Sequence, residues 1–496
     1  MLEILGRPFV RDVAWFTLWQ ALASTVLTVL VALPGAYVFA RFDFPGRRLL
    51  NAATLVPFVL PTVVVAAAFL ALLGPRSPFG LRLEHTIWAI LIAHVFYNYA
   101  VVLRVVGAVW AQIDPRTEEA ARVLGATRWQ AFREVTLPLL RPAIASAASI
   151  VFLFTFTSFG VILVLGGPQF ATLEVEIYRQ AAQLLDLRVA ATLTLVQLVA
   201  LAGLLLVYAR YQERGSVRSR SASPRVVLRR PRTTVEHAFL IANLGVLAVL
   251  LGLPLAVLVE RSLAVAGGYG LDYYTALFNQ AGALFVPPVE AIRNSLVFAA
   301  TSTAISVSLG LLAAQVIASG RGILAKAFDV LLTLPLGTSA VILGFGFLVA
   351  LGTLPVDLRV SPLLIPIAHA LVALPFVVRA VVPVMRSIDQ QMHEAAAVLG
   401  ASPSRTWRRI DLPIIARAAL IGAGFSFAVS LGEFGATLFI VRPDTPTMPI
   451  AIFRLLGQPG ALAFGQAMAM AALLMIVTAV AIVAIDRVRV PSRGAL

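Results

Sequence analysis

Long apolar runs follow one another through this chain and restrict its fold more than any other feature. Eleven can be marked, at about 13–40, 51–73, 87–110, 143–165, 189–208, 238–259, 292–318, 328–351, 363–385, 415–441 and 464–485. A run of roughly 18 or more apolar residues is the length of helix that crosses a bilayer. The runs are continuous and do not alternate, which argues against a transmembrane barrel. The expected fold class is therefore an all-α polytopic membrane protein with about 11 transmembrane helices. Composition agrees. Only 13% of the 496 residues are charged, where a soluble domain carries about 25%, and the mean hydropathy is +0.92. No run stands alone ahead of a cleavage-like site, so no removable signal peptide is expected.

The net charge of +15 would suggest nucleic acid in a soluble chain. Here the arginines cluster in short segments between apolar runs, so membrane orientation accounts for them and no nucleic-acid partner is expected. The densest cluster runs from Arg210 to Arg232. It holds Arg214, Arg218, Arg220, Arg225, Arg229 and Arg230 among serines and prolines, with Glu213 the one acid. It reads as a solvated linker that anchors topology and meets anionic lipid. The expected domains are 1–209 with about five spans, the linker 210–235, and 236–496 with about six.

With the linker in the cytoplasm, alternation puts the Arg47-Arg48 turn, the Arg321/Lys326 turn and the tail (Arg487, Arg489, Arg493) on the same side. The 166–188 loop, with Glu174, Glu176 and Asp186, falls outside, as does the N-terminus. A bacterial inner membrane is the implied location. The chain has no cysteine, which excludes disulfides, thiolate catalysis and cysteine metal sites. No catalytic or metal-binding residue is expected.

The two halves repeat. Glu119-Ala120-Ala121, Gly125 and Leu137-Pro138 recur 275 residues later as Glu394-Ala395-Ala396, Gly400 and Leu412-Pro413. At the same spacing His94 meets His369, Arg104 meets Arg379, Phe159-Gly160 meets Phe434-Gly435, and Pro168 meets Pro443. This is a tandem duplication in parallel orientation. The run at 238–259 has no counterpart in the first half. Either that half lost a helix or the sequence starts downstream of the true start, and the second is the favoured expectation.

Each copy of the Glu-Ala-Ala island is a short amphipathic segment between apolar runs. The first predicts a helix over 119–124, with Thr117 as N-cap and Glu118 and Glu119 facing the positive end of the helix dipole. Gly125 ends it. A second helix carries Trp129, Phe132 and Val135 as one stripe and ends at Pro138. In the second island Leu399, Trp407 and Ile410 keep that layout. Such a pair suits a groove on another protein, with the aromatic as anchor and the glutamate facing a partner arginine. The plainer alternative is an elbow that packs only against its own spans. The duplication favours two equal partners about a pseudo-twofold axis.

The pattern Glu-Ala-Ala, a glycine after three residues and Leu-Pro twelve beyond resembles the cytoplasmic loop of binding-protein-dependent ABC importer permeases. The resemblance implies that the loops 115–138 and 390–413 are coupling helices, each docking into one of two copies of a cytoplasmic ATPase. Its coupling residues would be Glu119, Ala120, Ala121, Gly125, Phe132, Glu394, Ala395, Ala396, Gly400 and Trp407. It also implies a periplasmic solute-binding protein and alternating access. The chain has no Gly-x-x-x-x-Gly-Lys-Ser/Thr loop. ATP and magnesium would therefore belong to the separate ATPase, with no cofactor and no catalysis in this chain.

The double-length layout is similar to iron(III) and thiamine importers. Leu165-Gly166-Gly167-Pro168-Gln169, Thr172-Leu173-Glu174, Ile177-Tyr178 and the stretch from Ala93 to Asn98 resemble thiamine permeases, so thiamine or a related compound is expected ahead of iron(III). The stretch from Leu431 to Ala436 is also similar to molybdate and sulfate permeases. Ser158, Phe159, Glu433 and Phe434 are the pathway candidates. An acid within a span is costly and marks function by default. For Glu433 a hydrogen bond to backbone near an outer gate is favoured over binding a cation.

His94 and His369 read as one interhelical hydrogen bond duplicated, ahead of a metal or proton relay. Tyr97, Asn98 and Tyr99 read as interface anchors ahead of solute contacts, and Arg104 and Arg379 as snorkelling or paired ahead of solute ligands. The alternative function is a gradient-driven secondary transporter with two related halves. The doubled island and the shortage of intramembrane acids count against it.

Overall fold

The computed structural model describes residues 2–216, 228–279, 284–320, 322–352 and 361–488. Arg218, Arg220, Arg225, Arg321, Arg489 and Arg493 lie outside the described residues. Among those described, nine helices are long and apolar enough to cross a bilayer: Pro8–Arg41, Ile87–Gln112, Arg128–Phe156, Leu187–Leu206, Thr234–Leu263, Pro288–Ser319, Leu364–Ser387, Pro403–Gly432 and Ala461–Ile485. The strands among them are two short ones, Ala264–Val265 paired with Gly268–Tyr269.

The other two expected spans are not single long helices, and counting one bent pair as a span gives up to ten among the described residues, against the eleven expected. Arg47–Val59 and Thr62–Leu73 meet at a bend of 100°. Pro61 sits at the break, where it has no N–H to give a continuous helix, and its carbonyl accepts from Val64 N at 2.9 Å. In the second half Ile323–Gly337 stops before Ala340–Leu351. Ser339 caps the second piece, its Oγ accepting from Val341 N at 3.0 Å. A break inside hydrocarbon requires such internal partners, because no water is there to supply them.

Contacts divide the chain into two units, Met1–Phe58 with Ala68–Leu258, and Val59–Ala67 with Val259–Leu496. In the first, Pro8–Arg41, Ile87–Gln112 and Arg128–Phe156 pack on one another. In the second, Pro288–Ser319, Leu364–Ser387 and Pro403–Gly432 do the same. Small residues permit the close approach. A Cβ on Gly35 would collide with the Tyr99 hydroxyl, and one on Gly310 would sit 2.7 Å from Val377 Cγ1.

The 166–188 segment differs from the expected solvated loop. It folds back as the buried helix Leu173–Tyr178, with Glu174 and Glu176 only 1% and 6% exposed. Glu174 accepts from Gln197 Nε2 at 2.6 Å, and Glu176 from Gln180 Nε2 at 2.7 Å and Arg179 Nη1 at 3.2 Å. These bonds offset the cost of removing the acids from water. Leu173 N donates to Thr17 Oγ1 at 2.9 Å. In the second unit Met448 N donates to Ser295 Oγ at 2.7 Å, at the start of Met448–Leu456. Of the three acids, Asp186 remains exposed.

The basic linker is also more ordered than expected at its ends. The helix Leu187–Ser216 runs through its first residues. Near its far end, Arg229 N donates to Arg41 O at 3.0 Å, and Asp43 N to Arg229 O at 2.9 Å. The guanidinium lies 5.1 Å from the Phe42 ring centroid and forks onto Glu236 at 2.9 and 2.7 Å. That bond holds the Arg229 pKa above its ordinary value. The following helix packs by Phe239 on Tyr37, with 5.9 Å between ring centroids.

Candidate functional site

The two Glu-Ala-Ala islands adopt one conformation, element by element, 275 residues apart. Their first helices are Pro115–Val123 and Gln390–Val398. Each begins four residues ahead of its glutamate. The N-caps are Asp114, which accepts from Arg116 N at 2.9 Å, and Asp389, which accepts from Gln391 N at 2.9 Å. Thr117, the expected cap, lies inside the first turn and donates to Asp114 O at 2.7 Å. Pro115 explains the earlier start, since its fixed φ and missing N–H suit the first helical position.

Gly125 and Gly400 take φ of 95° and 74°. Ala126 N then reaches back to Ala121 O at 3.1 Å, and Ala401 N to Ala396 O at 2.9 Å, closing each helix by a left-handed cap.

The second arm does not stop at the proline. Arg128–Phe156 and Pro403–Gly432 run from the elbow into the membrane as single helices. Each contains one π turn, Phe132–Thr136 and Trp407–Asp411, closed by Leu137 N to Phe132 O and by Leu412 N to Trp407 O. Pro138 and Pro413 follow at once. A proline in an α-helix clashes with the carbonyl four residues back. The wider turn takes up an extra residue and makes room for the ring. The same pairing recurs at Ala248–Gly252 ahead of Leu253-Pro254.

A tie absent from the sequence reading holds the arms together. Thr136 Oγ1 donates to Glu118 Oε1. At the matching positions His393 Nε2 lies 2.7 Å from Asp411 Oδ1. The carboxylate has changed arms. The available signal was the equal 18-residue separation of two polar pairs.

Glu119, Ala120, Glu394 and Ala395 are exposed, and Ala121 and Ala396 half-buried. The elbow tips are apolar and bare. Val123 and Leu124 are 87% and 88% exposed, Val398 and Leu399 87% and 86%. Phe132 is half-buried and stacks on Trp110 and on Trp129, which is itself exposed. Trp407, at the Phe132 position, is exposed. The outer aromatic is thus Trp129 in one elbow and Trp407 in the other.

The pathway candidates lie packed within their own units. Ser158 Oγ is 2.9 Å from His94 Nε2, whose Nδ1 is 2.8 Å from Ser24 Oγ. His369 bonds Ser430 Oγ at 2.8 Å and Thr437 Oγ1 at 2.7 Å. Glu433 accepts from Ala436 N and Thr437 N, both at 2.9 Å, and so caps the short helix Thr437–Ile440. Phe159 meets Tyr178 edge-on at 5.8 Å, and Phe434 meets Phe453 at 5.5 Å.

Asn98 and Tyr99 are buried in helix packing, unlike interface anchors. Arg104 is paired with Asn51 O and Arg379 with Thr333 Oγ1, both at 2.9 Å. Among the described residues no group of three or more His, Asp or Glu side chains could hold a metal ion.

The family of binding-protein-dependent transport system inner membrane components matches the chain twice, over residues 25–214 and 306–492. The chain belongs to that family. Each matched stretch contains one elbow. The importer permease is 28% identical over 480 residues to the probable ABC transporter permease protein y4fN of Sinorhizobium fredii, covering 91% of this chain and 83% of that protein. It is 29% identical over 460 residues to the thiamine transport system permease protein ThiP of Brucella abortus, covering 90% and 82%. To ThiP of Escherichia coli it is 28% identical over 477 residues, covering 91% and 84%. The permease is therefore a multi-pass inner-membrane subunit of an ABC importer and is itself non-catalytic. An ATPase and a solute-binding protein are its partners, and the gradient-driven alternative is not favoured.

Proposed function

We propose that this permease carries thiamine or a closely related pyrimidine-thiazole compound, handed over by a periplasmic binding protein. Its two elbows dock onto two copies of a cytoplasmic ATPase, which hold the ATP and magnesium. The linker and C-terminus face the cytoplasm and the N-terminus the periplasm. ATP-driven closure of the ATPase dimer moves the elbows and turns the pathway outward, and hydrolysis resets it.

The observation that carries the docking reading is the repeated elbow itself. Each presents an exposed glutamate (Glu119, Glu394), a left-handed glycine and a bare Val-Leu tip. Exposed apolar surface of this kind beside charge fits a protein interface. The rigid tie behind each tip suits it to pass on a push. The likeness to two thiamine permeases over most of their length supports the solute.

The test is uptake of labelled thiamine into vesicles holding the permease, the ATPase and the binding protein. Wild type is expected to accumulate thiamine only with ATP and all three components. Glu394→Arg and Gly400→Pro are expected to insert normally and lose uptake. Uptake without the ATPase, or normal uptake by both variants, would refute the docking reading. Transport of another solute with thiamine excluded would refute the solute.

A further inference from the structure

Beside the first elbow lies a cavity of about 640 Å3. Tyr37 and Trp110 give it an apolar side, and Arg41, Arg122, Arg128 and Arg232 a basic one. Three acids also reach it. Glu118 accepts from the neutral Thr136 hydroxyl and keeps its charge, which acts on Arg41, whereas Glu236 is taken by the Arg229 fork and by Arg232 N at 2.8 Å. The five lining arginines still outnumber the three acids. Glu119 is exposed at the surface.

Arg41 is the group that needs explaining. It ends the helix Pro8–Arg41 and is only 7% exposed. Its Nη1 donates to Ile113 O at 2.9 Å. Its Nη2 is buried and, among the described residues, has no hydrogen-bond partner. A buried guanidinium donor left unpaired is costly, and Arg41 carries that charge on the cavity wall.

The elbow as such does not require these arginines. The helix that matches Pro8–Arg41 in the second unit ends on Ser319. Ala397 and Pro403 stand 275 residues beyond Arg122 and Arg128. At these positions the basic wall belongs to the first unit alone.

We propose that this cavity binds a phosphoryl group, with the Arg41 guanidinium as the innermost positive charge and Arg122, Arg128 and Arg232 as the outer ones. Several guanidinium groups converge on one space, which suits the many acceptor oxygens and higher charge of a phosphate better than a single carboxylate. The Tyr37 and Trp110 side suits the apolar part of the same molecule. Two sources share this chemistry at the cytoplasmic end of a span: the headgroup of an anionic phospholipid and a free phosphate ester. The biological setting rests on the proposed orientation. The test does not, because both faces of a nanodisc are open.

The full-length permease is placed in phosphatidylcholine nanodiscs and its thermal unfolding followed in two arms. One adds phosphatidylglycerol as a minor component, and the other adds inorganic pyrophosphate. Wild type is expected to be stabilised in one arm, which identifies the source. Arg41→Gln is expected to raise the half-saturating concentration by about tenfold, the loss of the innermost positive charge. The double variant Arg122→Gln/Arg232→Gln changes exposed charges only and should raise it about threefold. It keeps the test valid if Arg41→Gln does not fold. No stabilisation in either arm overturns the proposal. So does stabilisation equal in wild type and variants.

Discussion

Gly125 and Gly400 decide where each elbow turns. Both lie at positive φ, and an added Cβ would meet no neighbour at either site, so any penalty comes from the backbone alone. Gly125→Ala should therefore lower stability by about 1–2 kcal/mol, the cost of a left-handed non-glycine residue. Gly125→Asn should cost less, and chemical denaturation of the two variants would compare them. The tip residues predict the opposite pattern. Leu124→Asp and Leu399→Asp remove exposed side chains and should leave stability within about 0.5 kcal/mol. Both should cut ATPase co-purification by about tenfold or more, as loss of an interface anchor does. Glu433 has a structural task at this scale. Its carboxylate serves two backbone N–H groups, so Glu433→Ala should destabilise the fold whatever solute is present. The glycines could be read from the sequence because one residue type meets one local need. For Glu433 a backbone bond was the favoured expectation, and only the folded partner atoms name the two N–H groups that it takes.

At the scale of elements, proline shows where the sequence can mislead. Pro138 and Pro413 look like helix ends, and in a regular α-helix they would be. The π turn before each lets the helix continue, and nothing in the local sequence distinguishes the two outcomes. At Pro61 the chain does break. Asp114-Pro115 is a cap-and-start signal present in the sequence, yet the acidic Glu118-Glu119 pair outweighed it. Glu174 and Glu176 look solvated because their partners come in part from another element, Gln197. Closing the π turn would shift the elbow by one residue, about 100° around the helix axis. Pro138→Ala with Pro413→Ala permits that closure. The variant should insert and express normally and lose most ATP-driven uptake, as read in the vesicle assay.

For the whole molecule, the class of fold was legible from the apolar runs alone, and the duplication from the fixed spacing. Orientation is the consequence open to direct measurement. The chain has no cysteine, so each introduced thiol is a unique label. Arg82 precedes the third span and Ser404 sits in the second elbow, and both are exposed. A membrane-impermeant maleimide should label Arg82→Cys in intact spheroplasts and Ser404→Cys only after lysis. The reverse pattern would invert the proposed topology.

The Glu118–Thr136 and His393–Asp411 ties sit at the same two places and are built from different chemistry. A transporter assembled from two identical subunits inherits every substitution twice, so a change that helps one side must be tolerated by the other. Joining both copies in one gene lifts that restriction. Each side can drift alone: the first arm carries a carboxylate in one copy and an imidazole in the other, and the second arm a hydroxyl in one and a carboxylate in the other. Grafting a single loop from one copy into the other would then strand half of a pair, whereas exchanging both arms together should not.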